Sequence, residues 1–365
     1  MTLMSGAMLG FAHHQMEFDV ISTSGVGGLI GMLYLAPKGN KSREEALEAL
    51  PNLFISDLLY AFLPVNFKVF SKHGPFSELW WKLGKAIPRL SVQPQDASPL
   101  KRLINDWIDL SIAATTPSTY ESFSQGLMTQ VPLIDDLVDF ERLRQSSTKF
   151  YLNAFNVSEK KLHIFDNTSM EAQAYAAAQA MFFLFSPERV AGGDLFSSGS
   201  THDPTGLLAL CLKDMLNFDI LIMLDPLSAA FWREPVNVYD AFQLMLMNPI
   251  LALEVRLFGL YAALEHRANS GSMQPGHKLP KLYRVPFDVP PDYYPTMLQW
   301  THSNAIRLQN IGYQAALQFA HALQADDKHE LEFYRLYPYV KDDPLLQSFL
   351  PIFEPFLVRL SDGPQ

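Results

Sequence analysis

The sequence predicts an α/β fold with a mainly parallel central sheet and helices on both faces, and three observations predict it. Residues 18–22 form a short apolar run that ends in Thr23, Ser24 and Gly25, and residues 26–36 continue as a helix. Residues 149–155 and 162–166 read as two strands joined by a hairpin-like connection. Residues 219–225 are a continuous apolar run flanked by helices, which is how a strand buried on both faces reads. Short buried strands alternating with helices define this class.

The elements follow in order. Pro37 and Gly39 stop the first helix where breakers belong. Residues 43–144 read as mostly helical, interrupted by prolines. An Ala-rich helix over 170–185 ends at Ser186 and Pro187, a Gly/Ser-rich loop fills 191–205, and a helix follows over 206–217. Residues 237–267 are a long helical region with Pro249 as its kink. Residues 278–295 are Pro- and Tyr-rich and extended, and 303–324 form a last amphipathic helix. No stretch reads as a linker or repeat. The expectation is one domain over 1–365, with a helical insertion at 41–147 and a helical C-terminal extension at 231–365.

Composition narrows the function. Charged residues make up 18 % of the 365, with 26 Phe and 14 Met; that apolar balance excludes disorder. A net charge of −10, with no basic cluster, argues against nucleic-acid partners. The single cysteine, Cys211, forbids an internal disulfide and sits in an apolar run as a small core residue. The apolar start lacks the basic flank of a secretory peptide and does not read as one, and polar residues interrupt 241–264, which does not read as a membrane span. A cytoplasmic location is expected, and peripheral contact with a membrane is compatible with it. Oligomeric state is left open.

The turn around Ser24 carries the chemistry. A serine between a buried strand and a helix is lifted out of the sheet, with helix N–H groups near enough to stabilise an oxyanion. The window Ser22 to Val26 matches the nucleophile-elbow pattern G-x-S-x-G at the serine and lacks both outer glycines. A dinucleotide loop from Gly25 fails on spacing, because its third glycine would fall at Ile30. His13, His14 and His202 make no metal motif, and no metal or organic cofactor is expected.

Residues 18–31 resemble the nucleophile segment of patatin-like phospholipases, D-x-x-x-G-T-S-A-G-A/G, with Ser24 set on the catalytic serine. Residues 5–13 are similar to the family's oxyanion loop G-G-G-x-x-G-x-x-H, with Ser5 and Ala7 at two glycine positions. Residues 150–165, 174–187 and 219–227 resemble later strands and the helix before the family's acid motif, so the likeness runs over 5–230. It implies a patatin-like three-layer fold and a Ser–Asp dyad that hydrolyses acyl esters of lipids. In that reading Ser24 is the nucleophile, and Gly6, Ala7, Gly10 and Gly25 supply oxyanion donors. The motif D-G-A/G is altered, since Ser198 stands at its aspartate. Asp203 is the favoured substitute base, ahead of Asp194; its alternative role is capping the next helix ahead of Pro204. Gly10 and Ser24 are also closer in sequence than the family places loop and nucleophile. The expected function is a serine-dependent lipid acyl hydrolase. The alternative is an inactive relative that binds lipid or a protein partner. The greasy helical stripes from Phe54 to Trp81 would then line an acyl groove or pack as core.

Overall fold

The central sheet is organised around one strand that is paired along its whole length. A computed structural model describes residues 1–63, 70–72, 98–115, 126–130, 133–185, 187–190, 193–213, 218–225, 233–269, 279–297 and 299–335. Strand β1 (Val20–Ser24) runs parallel to β4 (Lys149–Asn156), with Val20 opposite Lys149 and Ser24 opposite Asn153. Strand β5 (Lys161–Asp166) returns antiparallel on the other edge of β4. Strand β8 (Leu195–Ser198) takes up the first edge where β1 leaves it, pairing Ser198 with Ala154, and β7 (Glu188–Arg189) pairs with β8 in turn. The sheet is therefore mixed, which corrects the expectation of a mainly parallel one. A connection of only four residues joins β4 to β5, and so short a link permits only antiparallel pairing.

Both faces of β4 are covered. Phe150, Leu152 and Ala154 point into the main core with Leu29, Ile30 and Leu33 of helix α2 (Gly27–Leu35). Tyr151 packs on the opposite face with Ala209 and Leu210, from a helix over Leu207–Lys213. Burying one such apolar side chain contributes about 2 kcal/mol, so β4 ties the two helical layers to the sheet.

Helix α1 (Thr2–His13) lies where the sequence suggested a loop. Its closest partner is helix α9 (His302–Gln324), which Thr301 caps by accepting the Asn304 N–H. An added Cβ on Gly6 would sit 1.8 Å from the Gln309 carbonyl oxygen, and one on Gly312 would sit 1.9 Å from that of Leu3. The small residues of 5–10 thus let two backbones touch, and they do not form a turn.

The segment 41–147, expected as a helical insertion, begins with helix α3 (Arg43–Glu48), which a Ser42–Glu45 capping box starts. It continues through α4 (Asp57–Phe62) and α5 (Pro99–Thr115). It is not wholly helical, because β2 (Phe70–Lys72) and β3 (Gly126–Gln130) pair antiparallel within it. The third strand of that sheet, β6 (Phe183–Phe185), shortens the expected 170–185 helix to α6 (Ala172–Gln179). The Ala-rich half stays helical, and the Phe-rich half becomes strand, as its propensities favour. Trp80 and Trp81, expected in the apolar stripe, lie outside the described residues.

After α7 (Leu207–Lys213), strand β9 (Ile220–Asp225) pairs parallel with β10 (Lys281–Pro286) in a separate two-stranded sheet. Ile220 is 41 % exposed, so β9 is not buried on both faces as its apolar run implied. Helix α8 (Val238–Asn269) contains Pro249, as expected. Cys211 of α7 packs against the cluster of Leu207, Met223, Tyr261 and Leu282, and burial pushes its thiol up to about 12. Among the described residues, no helix is long and apolar enough to cross a membrane.

Candidate functional site

Two strands meet end to end along one edge of β4, and the candidate site is built where they meet. Ser24 closes β1 opposite Asn153, and Ser198 closes β8 opposite the neighbouring Ala154. The two turns that follow therefore converge. A Cβ built on Gly25 would lie 3.6 Å from Cβ of Ser200.

The backbone at Gly25 has φ +51°, and its carbonyl accepts the Gly28 N–H at 3.0 Å as α2 begins. That left-handed conformation favours glycine. Gly25, not Ser24, thus occupies the apex of the sharp turn at which an elbow presents its nucleophile. Counted without a gap from Asp19, the pattern D-x-x-x-G-T-S also brings its serine to position 25.

Ser24 is still a strand residue, and its hydroxyl donates to Oδ1 of Asn153 at 2.8 Å. The Asn153 amide nitrogen donates to the Asp203 carbonyl at 2.7 Å and to its carboxylate Oδ2 at 3.1 Å. Ser24 and Asp203 are thereby brought to one amide, with Asn153 between them. Asp203 is fully buried and accepts Thr205 Oγ1–H and the Leu208 N–H, both at 3.1 Å. It caps the start of α7, the structural role foreseen for an aspartate before Pro204. Burial pushes its carboxyl above the usual range, and the bonds from Asn153, Thr205 and the α7 backbone pull the other way.

Of the remaining candidates, only Ser198 shares this junction. Asp194 accepts from Asn156 at 2.9 Å, farther along β4 than Asn153. Ser198, at the expected aspartate position, shares a 2.8 Å hydrogen bond with Ser200. Gly6, Ala7 and Gly10, expected as oxyanion donors, belong to α1, where helix geometry commits their N–H groups to the helix's own carbonyls. His13 is hydrogen-bonded to Tyr313 at 3.0 Å. Sequence reasoning missed Asn153. Its signal is an amide in the middle of an otherwise apolar strand, where a buried polar group needs partners.

A cavity of about 1380 Å³ opens beside this junction. Ser24, Gly25, Ser198 and Ser200 form part of its wall, and most of the other described lining residues are apolar, among them Met8, Leu29, Met223 and Ile250. Its volume exceeds the few hundred Å³ that a compact polar metabolite needs.

No family model and no curated protein matches the chain. Among solved structures it is similar to VipD from Legionella pneumophila, at 13 % identity and a TM-score of 0.38, over 99 % of this chain and 75 % of that one.

The chemistry of the junction follows from its donors and acceptors. The Ser24 proton is held by an amide oxygen, which is far too weakly basic to remove it. Asp203 holds no direct hydrogen bond to that hydroxyl and is engaged with α7. Its raised carboxyl gives a testable sign. The native state binds this proton more tightly than the unfolded chain does, so the associated stability is present below the unfolded value of 3.8 and lost as pH rises through the raised one. Asp203→Asn should remove that loss. Its stability relative to the native sequence is expected to improve between pH 4 and pH 7, measured by urea midpoints at both. The opposite trend would mean a carboxylate better stabilised in the folded state.

Proposed function

We propose that this chain is a patatin-like protein that binds the acyl chain of a lipid or lipid ester without hydrolysing it. The observation that carries the reading is the turn itself: its apex is Gly25, and the adjacent Ser24 hydroxyl donates to the Asn153 amide oxygen. Ser198 in place of an acidic partner supports it further. Attack by a serine needs a base to take its proton, and neither Asn153 nor Ser198 can serve at neutral pH. The apolar cavity beside the junction supplies room for a hydrocarbon chain.

A second reading keeps hydrolysis, with Ser24 as nucleophile and Asp203 as base. What favours it is the shared contact of both residues with the Asn153 side chain. A fluorophosphonate probe separates the two. The folded full chain is expected to label no more than its Ser24→Ala variant, while a fluorescent fatty-acyl probe binds both. Labelling that depends on Ser24 would restore the hydrolase. Failure of the acyl probe to bind would remove the proposed role for the cavity.

A further inference from the structure

The charge of the cavity wall restricts which amphiphile can enter it. The described lining residues include Glu17, Asp19, Glu188, Asp219 and Glu254, and no lysine, arginine or histidine; the Met1 amino group also lines it, and burial pushes it down to about 6, so it is largely uncharged at neutral pH. Glu17 is neutralised by Arg43 at 2.7 Å, Asp19 and Asp219 are exposed, and Glu254 is buried and already engaged with the protein. Glu188 differs from these. It is half-buried on β7, and its side chain makes no hydrogen bond or ion pair among the described residues. Burial acts on its carboxyl without opposition and raises it. Its strand partner is Phe196, two residues before Ser198, so Glu188 lies on the same face of the sheet as Ser198, and both line the cavity.

A carboxylate in an apolar wall interacts strongly with charge, because little water screens it. It repels a fatty-acid carboxylate or a phosphate monoester, and it attracts a cation. The apolar remainder of the cavity suits the tail. Met8, Met181, Met223, Met247 and Met297 line it, and methionine adapts its shape to chains of different length.

We propose that the cavity selects long-chain amphiphiles with a positively charged head, an amine or quaternary ammonium, and that Glu188 is the carboxylate that meets that head. The inference rests on the acyl-chain reading and deepens it by naming the ligand's charge. The test is displacement of the fluorescent acyl probe from the full chain by dodecyltrimethylammonium, dodecanoate and neutral monododecanoylglycerol, each below its micelle concentration. Displacement reports on the cavity, whereas a cation drawn only to the negative surface leaves the probe in place. The ammonium compound should displace the probe at a concentration at least tenfold lower than dodecanoate, and Glu188→Gln should cut that advantage to about threefold or less. Equal potency of the two, or an advantage that survives Glu188→Gln, overturns the charge selection while the acyl site stands. A probe that never binds removes both.

Discussion

Alanine at Gly6 or at Gly312 is expected to destabilise the protein by about 3 kcal/mol, with the sign opposite to helix propensity. In an ordinary helix interior the same change would stabilise by roughly 0.5–1 kcal/mol. Here the new methyl would lie 1.8 Å from the Gln309 carbonyl oxygen or 1.9 Å from that of Leu3. The obstructing atoms are backbone, so no side chain can rotate to make room. Helices α1 and α9 would have to separate, loosening the edge-to-face contact of Phe11 and Phe319 and uncovering Leu3 and Leu308. Urea midpoints check the result, with Gly27→Ala as a control. An added Cβ on Gly27 meets only Thr23, at 3.7 Å, so that variant should stay within about 0.5 kcal/mol of the native chain. A gain in stability from Gly6→Ala would mean that α1 and α9 are not in backbone contact.

The same glycines explain why part of the candidate site was not legible in the sequence. Small residues serve both tight turns and close helix crossings, and the sequence of 5–13 satisfies either need. What decides between them is Gln309 and Gly312, some 300 residues away. The strand, turn and helix at 20–35 were legible because each step has its own signal: an apolar run, small residues, then an apolar helix ended by Pro37. The apex of that turn was not. Ser24 and Gly25 are both small, and only the backbone conformation distinguishes the last strand residue from the first turn residue. The hairpin of β4 and β5 was read from its apolar runs and short connection, yet its antiparallel pairing was not carried through to the whole sheet. Asp203 was legible as a helix cap, and its bonds to Thr205 and Leu208 are those of one.

Leucine at Asn153 is expected to cost about 4 kcal/mol, the largest loss foreseen at the site itself, although it keeps the branched outline of the side chain it replaces. Asn153 is fully buried, and its amide is the common partner of the Ser24 hydroxyl, the Asp203 carbonyl and the Asp203 carboxylate. A lost buried hydrogen bond costs roughly 1 kcal/mol net, and a partner left without one costs about 1–3 kcal/mol, more where it is charged. The carboxylate is the critical member, since burial already raises Asp203 and the amide is one of the groups that oppose this. Asn153→Asp makes the complementary test. It sets a second carboxylate against Asp203 in a buried site, where like charges hold a proton between them. The pair would then lose its protons in two steps, the second well above the unfolded range, and stability would fall steeply as pH rises through that second step. If unfolding of Asn153→Asp depended on pH no more than that of the native chain, the amide could not be the link between Ser24 and Asp203. The same variant would hand Ser24 a basic oxygen at the position from which Oδ1 now accepts its proton, 2.8 Å away. Fluorophosphonate labelling that appears in Asn153→Asp and vanishes in its Ser24→Ala double variant would place the barrier to catalysis in the amide. Continued silence would place it in Gly25, where the turn carries no nucleophile at all.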